Sequence, residues 1–320
     1  MTKPFFTISI DFELFWGVYD TMKFSRYGDS ILQGRESIPK MLSLFKEYSI
    51  NATWATVGML SFQCKKELLK YLPTVKPNII NKKLDPYHHL QYIGNNEKED
   101  PYHFGYSILK KILEVEGMEI GSHTFSHYNY LEFGSSRAFK SDLESSNEAF
   151  KRLNISTPSI VFCKNQYDKT SLKIARECGF SCYRGNENSL LFKPRPKQYA
   201  LHRLVRFADA YFNLTGDFTS NVTKEKSGLI NIPSSRFLRP YNNSNYLETK
   251  KLQRIMDSMD YAAKTNQGFH LWWHPHNFGR NLFNNISSLN IILNHYRFLN
   301  QKYGMVSLNM KEASSTIKLS

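Results

Sequence analysis

His123 and His127 lie four apart in Gly121-Ser122-His123-Thr124-Phe125-Ser126-His127, at the end of a short apolar run, and can aim both imidazoles at one point. Imidazole is the commonest metal-binding side chain, and zinc sites often combine two of them with a carboxylate and one open position. A carboxylate pair lies far upstream in Ile8-Ser9-Ile10-Asp11-Phe12-Glu13. On a strand, residues two apart face the same side with Cα atoms about 6.5–7 Å apart. One carboxylate can then bind a metal while the other activates its water. A third cluster, His270-Leu271-Trp272-Trp273-His274-Pro275-His276, lies far downstream. Strand alternation puts His270, Trp272 and His274 on one face and Phe269, Leu271 and Trp273 on the other, and Pro275 ends the ladder. His274 thus stands at a strand terminus, where it suits a general acid, with His276 in the loop beyond. Each cluster has a bland counterpart: two solvated carboxylates, a core histidine beside an unrelated surface one, an aromatic core strand. Three polar clusters at strand ends together point to a metal-dependent hydrolase.

The elements that must position these residues alternate strand and helix. Phe5–Glu13 is apolar and β-branched enough for a strand; Ile38, Met41, Leu42 and Phe45 recur at helical spacing; Asn51–Gly58 reads as a second buried strand. Met118–Gly121 favours a strand ending at His123, with His127 in the following loop or first helical turn, and Thr124 and Ser126 placed to orient the imidazoles. A helix is expected over Ser136–Leu153. Ser159–Cys163 reads as a strand, Asp168 as the cap of a helix through Cys178, Gly179 as its stop, and Phe180–Arg184 as the next strand. Residues 190–245 read as strands and substrate loops, Met256–Ala263 as helix, Phe269–His274 as strand and Leu289–Leu299 as a terminal helix. Repeated βα units imply a parallel sheet or a closed β/α barrel. Between Leu60 and Glu116 the pattern breaks, with Pro73, Pro77, Pro86 and Pro101, and is read as an insertion over the barrel mouth.

The 320 residues are 41% hydrophobic and 14% aromatic, which excludes a disordered chain and provides a sizeable core. The net charge is +14 and the pI about 9.4. The lysines fall in scattered doublets such as Lys65-Lys66 and Lys110-Lys111, which describes a solvated basic surface and not a nucleic-acid footprint. No apolar run spans a bilayer. Met1–Pro4 leads straight into the first strand and is read as leaving no room for a signal peptide. Cys64, Cys163, Cys178 and Cys182 lack a paired zinc spacing. These features lead to the expectation of a cytoplasmic protein with reduced thiols, free or at the inner membrane face.

Asp11-Phe12-Glu13, the His123–His127 string and the late His274 resemble, in order and spacing, the motifs of the polysaccharide deacetylase superfamily, also called the NodB-homology family. Ser9–Gly17 and Trp272–Gly279 resemble more narrowly a subgroup associated with bacterial surface-polysaccharide loci. The resemblance implies an irregular β/α barrel with fewer than eight regular strands, here a single catalytic domain over 1–320 with the irregular insertion at about 60–116. It implies a divalent metal, zinc first, held by Glu13, His123 and His127. Phe12 stands where the commonest family pattern has a second aspartate, so Glu13 takes the ligand role and Asp11 that of base. A family arginine that orients the catalytic aspartate falls in Cys163-Lys164-Asn165-Gln166, where Lys164 offers charge without a bidentate fork. Asp209 is the candidate for a later supporting aspartate.

The expected reaction is removal of an N-acetyl group from a sugar of a surface polysaccharide or its precursor. Asp11 acts as general base and His274 as general acid, with His276 in support. Trp16 and Trp272 are candidates to stack on a sugar ring, Trp54 is a core residue, and Arg236 either meets an anionic glycan or forms a surface ion pair. Two alternatives stand beside this reading: a superfamily amidohydrolase of a small non-glycan amide, and a basic binding protein without catalysis. The expected partner is an N-acetylated sugar or oligosaccharide, with no nucleic acid and with peripheral membrane association left open.

Overall fold

A computed structural model describes residues 3–189, 200–219 and 221–317. Strand β1 (Phe5–Phe12) is buried along its whole length. Continuous burial of an apolar run is the mark of a parallel strand covered on both faces. It pairs in parallel with β2 (Ala52–Thr56) on one side and β9 (Gly268–Trp273) on the other, so that Asp11 stands opposite Ala55 and Ile10 opposite Trp273. From β2 the sheet continues through β3 (Met118–Ser122), β4 (Ser159–Ile160), β5 (Cys182–Gly185) and β7 (Ile230–Pro233), with β6 (Thr223–Lys224) antiparallel on the edge of β7. Beyond β9 lies β8 (Arg236–Phe237), and β10 (Val306–Ser307) pairs with the start of β1.

The chain between β7 and β8 closes the sheet. One extended segment, Ile230–Phe237, pairs with β5 in its first half and with β9 in its second. The switch falls at Ser234 and Ser235, whose N–H groups donate to the carbonyls of Gly185 and His270. The strands β1, β2, β3, β4, β5, this shared segment and β9 therefore form a ring, an irregular β/α barrel with fewer than eight regular strands. Its lower end is plugged by the helix Met310–Ser314, where the Met310 N–H meets Thr53 Oγ1 and the Lys311 N–H meets Glu119.

Most expected elements are present with shifted ends. The helix Phe24–Glu47 buries Ile38, Met41, Leu42 and Phe45, and Lys169–Glu177 starts at Asp168 in a capping box with Ser171. Gly179 follows in the left-handed region at φ 94°. Three expectations need correction. Ser159–Cys163 yields strand only at Ser159–Ile160, because Cys163 opens a short 3-10 turn. Within 190–245 the chain forms the helix Ala200–Asp209 as well as strands, while 190–199 lies outside the described residues. The helix Leu282–Tyr303 is not terminal, since β10 and Met310–Ser314 follow it.

The 60–116 segment contributes to the core and also meets the loops at the strand ends, where the Tyr87 hydroxyl reaches Ser126 and Asp142 and the His103 carbonyl accepts from the Trp16 indole. Leu90, Ile93, Phe104 and Ile108 pack in the main hydrophobic cluster, Arg35 donates to the Pro101 and Phe104 carbonyls, and no residue of the segment lines the cavity described below.

Candidate active site

The site lies where barrel strands end, at the C-terminal face that such barrels use for chemistry. Strand alternation sends Ser9 and Asp11 inward. Glu13 is no longer strand: it has φ −127° and ψ −15°, and Leu14 at φ 47° swings the chain into the turn Leu14–Gly17. That turn folds back onto Glu13. A Cβ on Gly17 would lie 2.0 Å from the Glu13 carboxyl carbon, so only glycine leaves room for this carboxylate.

Arg184, from β5, makes a bidentate pair with Asp11, Nη1 to Oδ1 at 2.7 Å and Nη2 to Oδ2 at 2.8 Å. The guanidinium is fixed in turn by Ser9 Oγ at 3.0 Å and Asn165 Oδ1 at 2.9 Å, and lies 4.3 Å over the Trp272 ring. Burial alone would raise the Asp11 carboxyl; Arg184, with His123 and His274, brings it below its ordinary value. Arg184 thus holds the position expected of Lys164. Lys164 sits in a left-handed turn at φ 55° and pairs with Asp20 at 2.8 Å and Glu132 at 3.3 Å.

His123 follows β3 and donates from Nδ1 to the Val161 carbonyl at 2.8 Å. A neutral His123 therefore presents a bare Nε2 lone pair to Glu13 Oε2, 3.3 Å away, and His127 Nε2 lies 3.1 Å from the same oxygen. Two acceptors at such distance require a shared positive charge, either a proton on an imidazole or a cation among the three groups. Two imidazole nitrogens and a carboxylate oxygen are a donor set that fits a divalent metal. Burial opposes a charged carboxylate at Glu13, yet His274, His123 and His127 hold it well below the usual range. His123, His127 and Cys163 also bring ligand-type atoms within 4.8 Å of one another. Burial pushes the Cys163 thiol well up, however, and it points at the His123 carbonyl, while a metal would need the thiolate.

The turn from His123 to His127 carries left-handed backbone at Thr124 (φ 61°) and His127 (φ 57°), costly for a β-branched threonine. It is held from outside. Asp142, on the helix Ser136–Lys151, accepts from the N–H groups of Phe125 (2.7 Å) and Ser126 (3.2 Å), from Ser126 Oγ and from the Tyr87 hydroxyl. Burial nevertheless lifts the Asp142 carboxyl to about 6. Thr124 and Ser126 do not orient the imidazoles directly: Thr124 Oγ1 accepts from the Tyr128 N–H, and Ser126 serves Asp142.

His274 follows β9 as expected, with Nε2 3.5 Å from Asp11 Oδ2 and 3.6 Å from Glu13 Oε1. The Asn277 amide lies 3.3 Å from Nδ1 and donates to it, which leaves the proton on the inward Nε2. His276 stacks beneath it, centroids 5.0 Å apart, but is buried, and burial lowers it to about 3. Of the two, only His274 lines the cavity.

That cavity has a volume of about 540 Å³, and its wall includes Asp11, Glu13, His127, Trp272, His274 and Phe237. Trp16 is not part of it: it is fully buried, with its indole N–H on the His103 carbonyl at 2.9 Å. Trp54 is likewise core. Arg236 is neither free nor on the surface. It is buried against Asp209 at 2.5 Å and the Gly216 carbonyl at 3.1 Å. Arg184 and Asp142 are the residues the sequence reading missed. Alternation along Phe180–Arg184 places Arg184 on one face, but nothing local marks it as the partner of Asp11.

A parallel β/α barrel with a carboxylate–imidazole cluster at its strand ends defines a class of hydrolase-type scaffolds. The chain belongs to the polysaccharide deacetylase family, whose model matches residues 20–183. No curated protein matches it in sequence. Among solved structures it is similar to a putative polysaccharide deacetylase from Mycobacterium smegmatis, at 12% identity and TM-score 0.59, covering 98% of this chain and 90% of that one. A probable polysaccharide deacetylase from Pseudomonas aeruginosa PAO1 follows at 11% identity and TM-score 0.53, covering 98% and 89%. Puue allantoinase has 10% identity and TM-score 0.54, covering 98% and 88%. At such identities the likeness is one of fold.

Proposed function

We propose that the protein is a metal-dependent deacetylase that removes an N-acetyl group from a sugar of a bacterial surface polysaccharide or its precursor. The observation that carries this reading is the floor of the cavity, where Asp11 is clamped by Arg184 and faces Glu13 and His274. Glu13, His123 and His127 would hold the metal, zinc first. When bound there it would polarise the amide carbonyl and lower the pKa of a coordinated water.

The protein's own groups do the rest. Asp11, kept ionised by Arg184, takes a proton from the attacking water. His274 gives a proton to the departing nitrogen as the C–N bond breaks, because an amide anion is a very poor leaving group. Both act from buried or half-buried positions that exclude competing solvent. Trp272 and Phe237, with ring centroids 4.6 Å apart, offer an aromatic wall for a sugar ring beside His274.

The test is to assay acetate release from N-acetylated amino sugars alongside ring-opening of small cyclic amides, with metal-loaded and chelated protein. Acetate release lost on chelation is the expected result. Ring-opening alone would move the activity to small amides, and inertness toward both would contradict the reading.

A further inference from the structure

The cavity wall carries a guanidinium with no acid in ion-pair distance among the described residues. Arg239 lines the same cavity as Asp11 and His274. It donates to the Arg206 carbonyl at 3.5 Å and lies 5.2 Å over the Phe207 ring, and no carboxylate comes within ion-pair distance among the described residues. The remaining stretches (1–2, 190–199, 220 and 318–320) contain no Asp or Glu. Of the four other Lys and Arg residues in the wall, Lys164 pairs with Asp20 and Glu132, Arg236 with Asp209 and Lys251 with Glu248 at 2.7 Å, while Arg206 acts on the Glu187 carboxyl in the same cavity. Burial lowers the Arg239 guanidinium from its ordinary value. A half-desolvated cation without a counter-ion costs folding free energy, and a ligand anion is what offsets it.

Its placement relative to the reacting end is defined. Directly after β8, the Leu238 N–H donates to the Trp272 carbonyl at 2.8 Å. Phe237 and Arg239 both line the cavity. The Phe237 ring is 5.8 Å from His274, and Lys251 Nζ holds the Arg239 carbonyl at 2.9 Å.

We infer that the cavity takes an N-acyl sugar bearing an anionic oxyacid group, phosphate or carboxylate, with the anion on the Arg239 fork and the ring against Phe237 and Trp272. The sugar rests on the deacetylase reading above; the anion contact does not. A planar guanidinium matches two oxygens of either group.

Equilibrium binding by calorimetry tests this in an Asp11→Asn background, where turnover does not intrude. The probes are N-acetylglucosamine, its 1-phosphate and its 6-carboxylate. At least one anionic probe should bind roughly tenfold or more tighter than the neutral sugar, the scale of a charge-assisted hydrogen bond. Arg239→Ala and Arg239→Gln should each bring the probes to parity, and Arg239→Lys should keep part of the preference. Lys111→Ala, which removes an exposed charge from the helix Tyr106–Leu113, should leave it intact. The preferred anion tells phosphate from carboxylate. Parity in protein with Arg239 present, or a preference surviving both Arg239→Ala and Arg239→Gln in folded protein, overturns the inference. Acetate release is read separately on protein with Asp11. Release without anion preference overturns only the anion site, and preference without release overturns only the deacetylase reading.

Discussion

Asp11 is buried between the Arg184 fork and the His274 imidazole, and its carboxyl lies below its usual range because Arg184 outweighs desolvation together with the two histidines. A lysine at 184 keeps the charge but loses the two parallel bonds. Arg184→Lys should therefore lower activity and weaken the hold on the Asp11 anion, moving its carboxyl upward. The acid limb of the kcat/KM pH profile, where Asp11 must be ionised, should shift to higher pH. A profile that falls uniformly with no shift would make Arg184 a packing residue only. Asp11, Glu13, His123, His127 and His274 were legible in the sequence because each belongs to a short string whose spacing has chemical meaning. Arg184 was not: a single arginine in a strand gains its role only when β5 and β1 face each other across the barrel. Lys164 was the expected stand-in because the family arginine falls in Cys163-Lys164-Asn165-Gln166, but the left-handed residues Lys164 and Asn165 turn its ammonium toward Asp20.

At the scale of elements, the site depends on two turns. Leu14–Gly17 folds against Glu13, and the missing Cβ of Gly17 makes the space for its carboxylate. Gly17→Ala should push that carboxylate aside and reduce metal affinity by about 10–100-fold, the scale seen when groups supporting a ligand are lost. Metal titration of the purified variant checks this, and unchanged affinity would show that Glu13 can reach the histidines by another rotamer. The second turn, His123–His127, is strained at Thr124 and His127 and braced by Asp142. Helical periodicity predicted the helix that carries Asp142, but periodicity speaks for its buried apolar face. It cannot say that a buried acid on the same helix will accept from three donors of a distant loop and from the Tyr87 hydroxyl. Gly34 shows a similar limit: a Cβ there would meet the His276 backbone at 2.7 Å, so the helix Phe24–Glu47 fixes the turn after β9 by close approach.

For the whole molecule, the alternation of strands and helices announced the barrel, while its closure was not legible. The closure depends on one segment, Ile230–Phe237, serving two strands, and no local pattern signals a switch of partners at Ser234 and Ser235. Two histidines whose charge burial disfavours set a pH dependence. Burial lowers His270 to about 3, with Arg184 adding to it, and lowers His89 to about 4, with His103 adding to it. Both are depressed in the folded state, so the unfolded chain binds more protons between these values and about 6.5. Their contribution to stability is full above about pH 6.5 and is lost as pH falls toward 3–4. The melting temperature should therefore decline through that window, and His270→Gln should flatten the decline. A melting temperature constant from pH 7 to 4 would contradict it.

The division of labour between Asp11 and Glu13 is the centre of the account, and it is tested most directly by measuring bound metal and acetate release on the same preparations of wild type, Asp11→Asn and Glu13→Gln. Asp11→Asn should keep the metal and lose activity by roughly 10²–10⁴-fold, whereas Glu13→Gln should lose the metal and, with it, the activity. Metal loss in Asp11→Asn with retention in Glu13→Gln, or full activity in Asp11→Asn, would contradict the assignment.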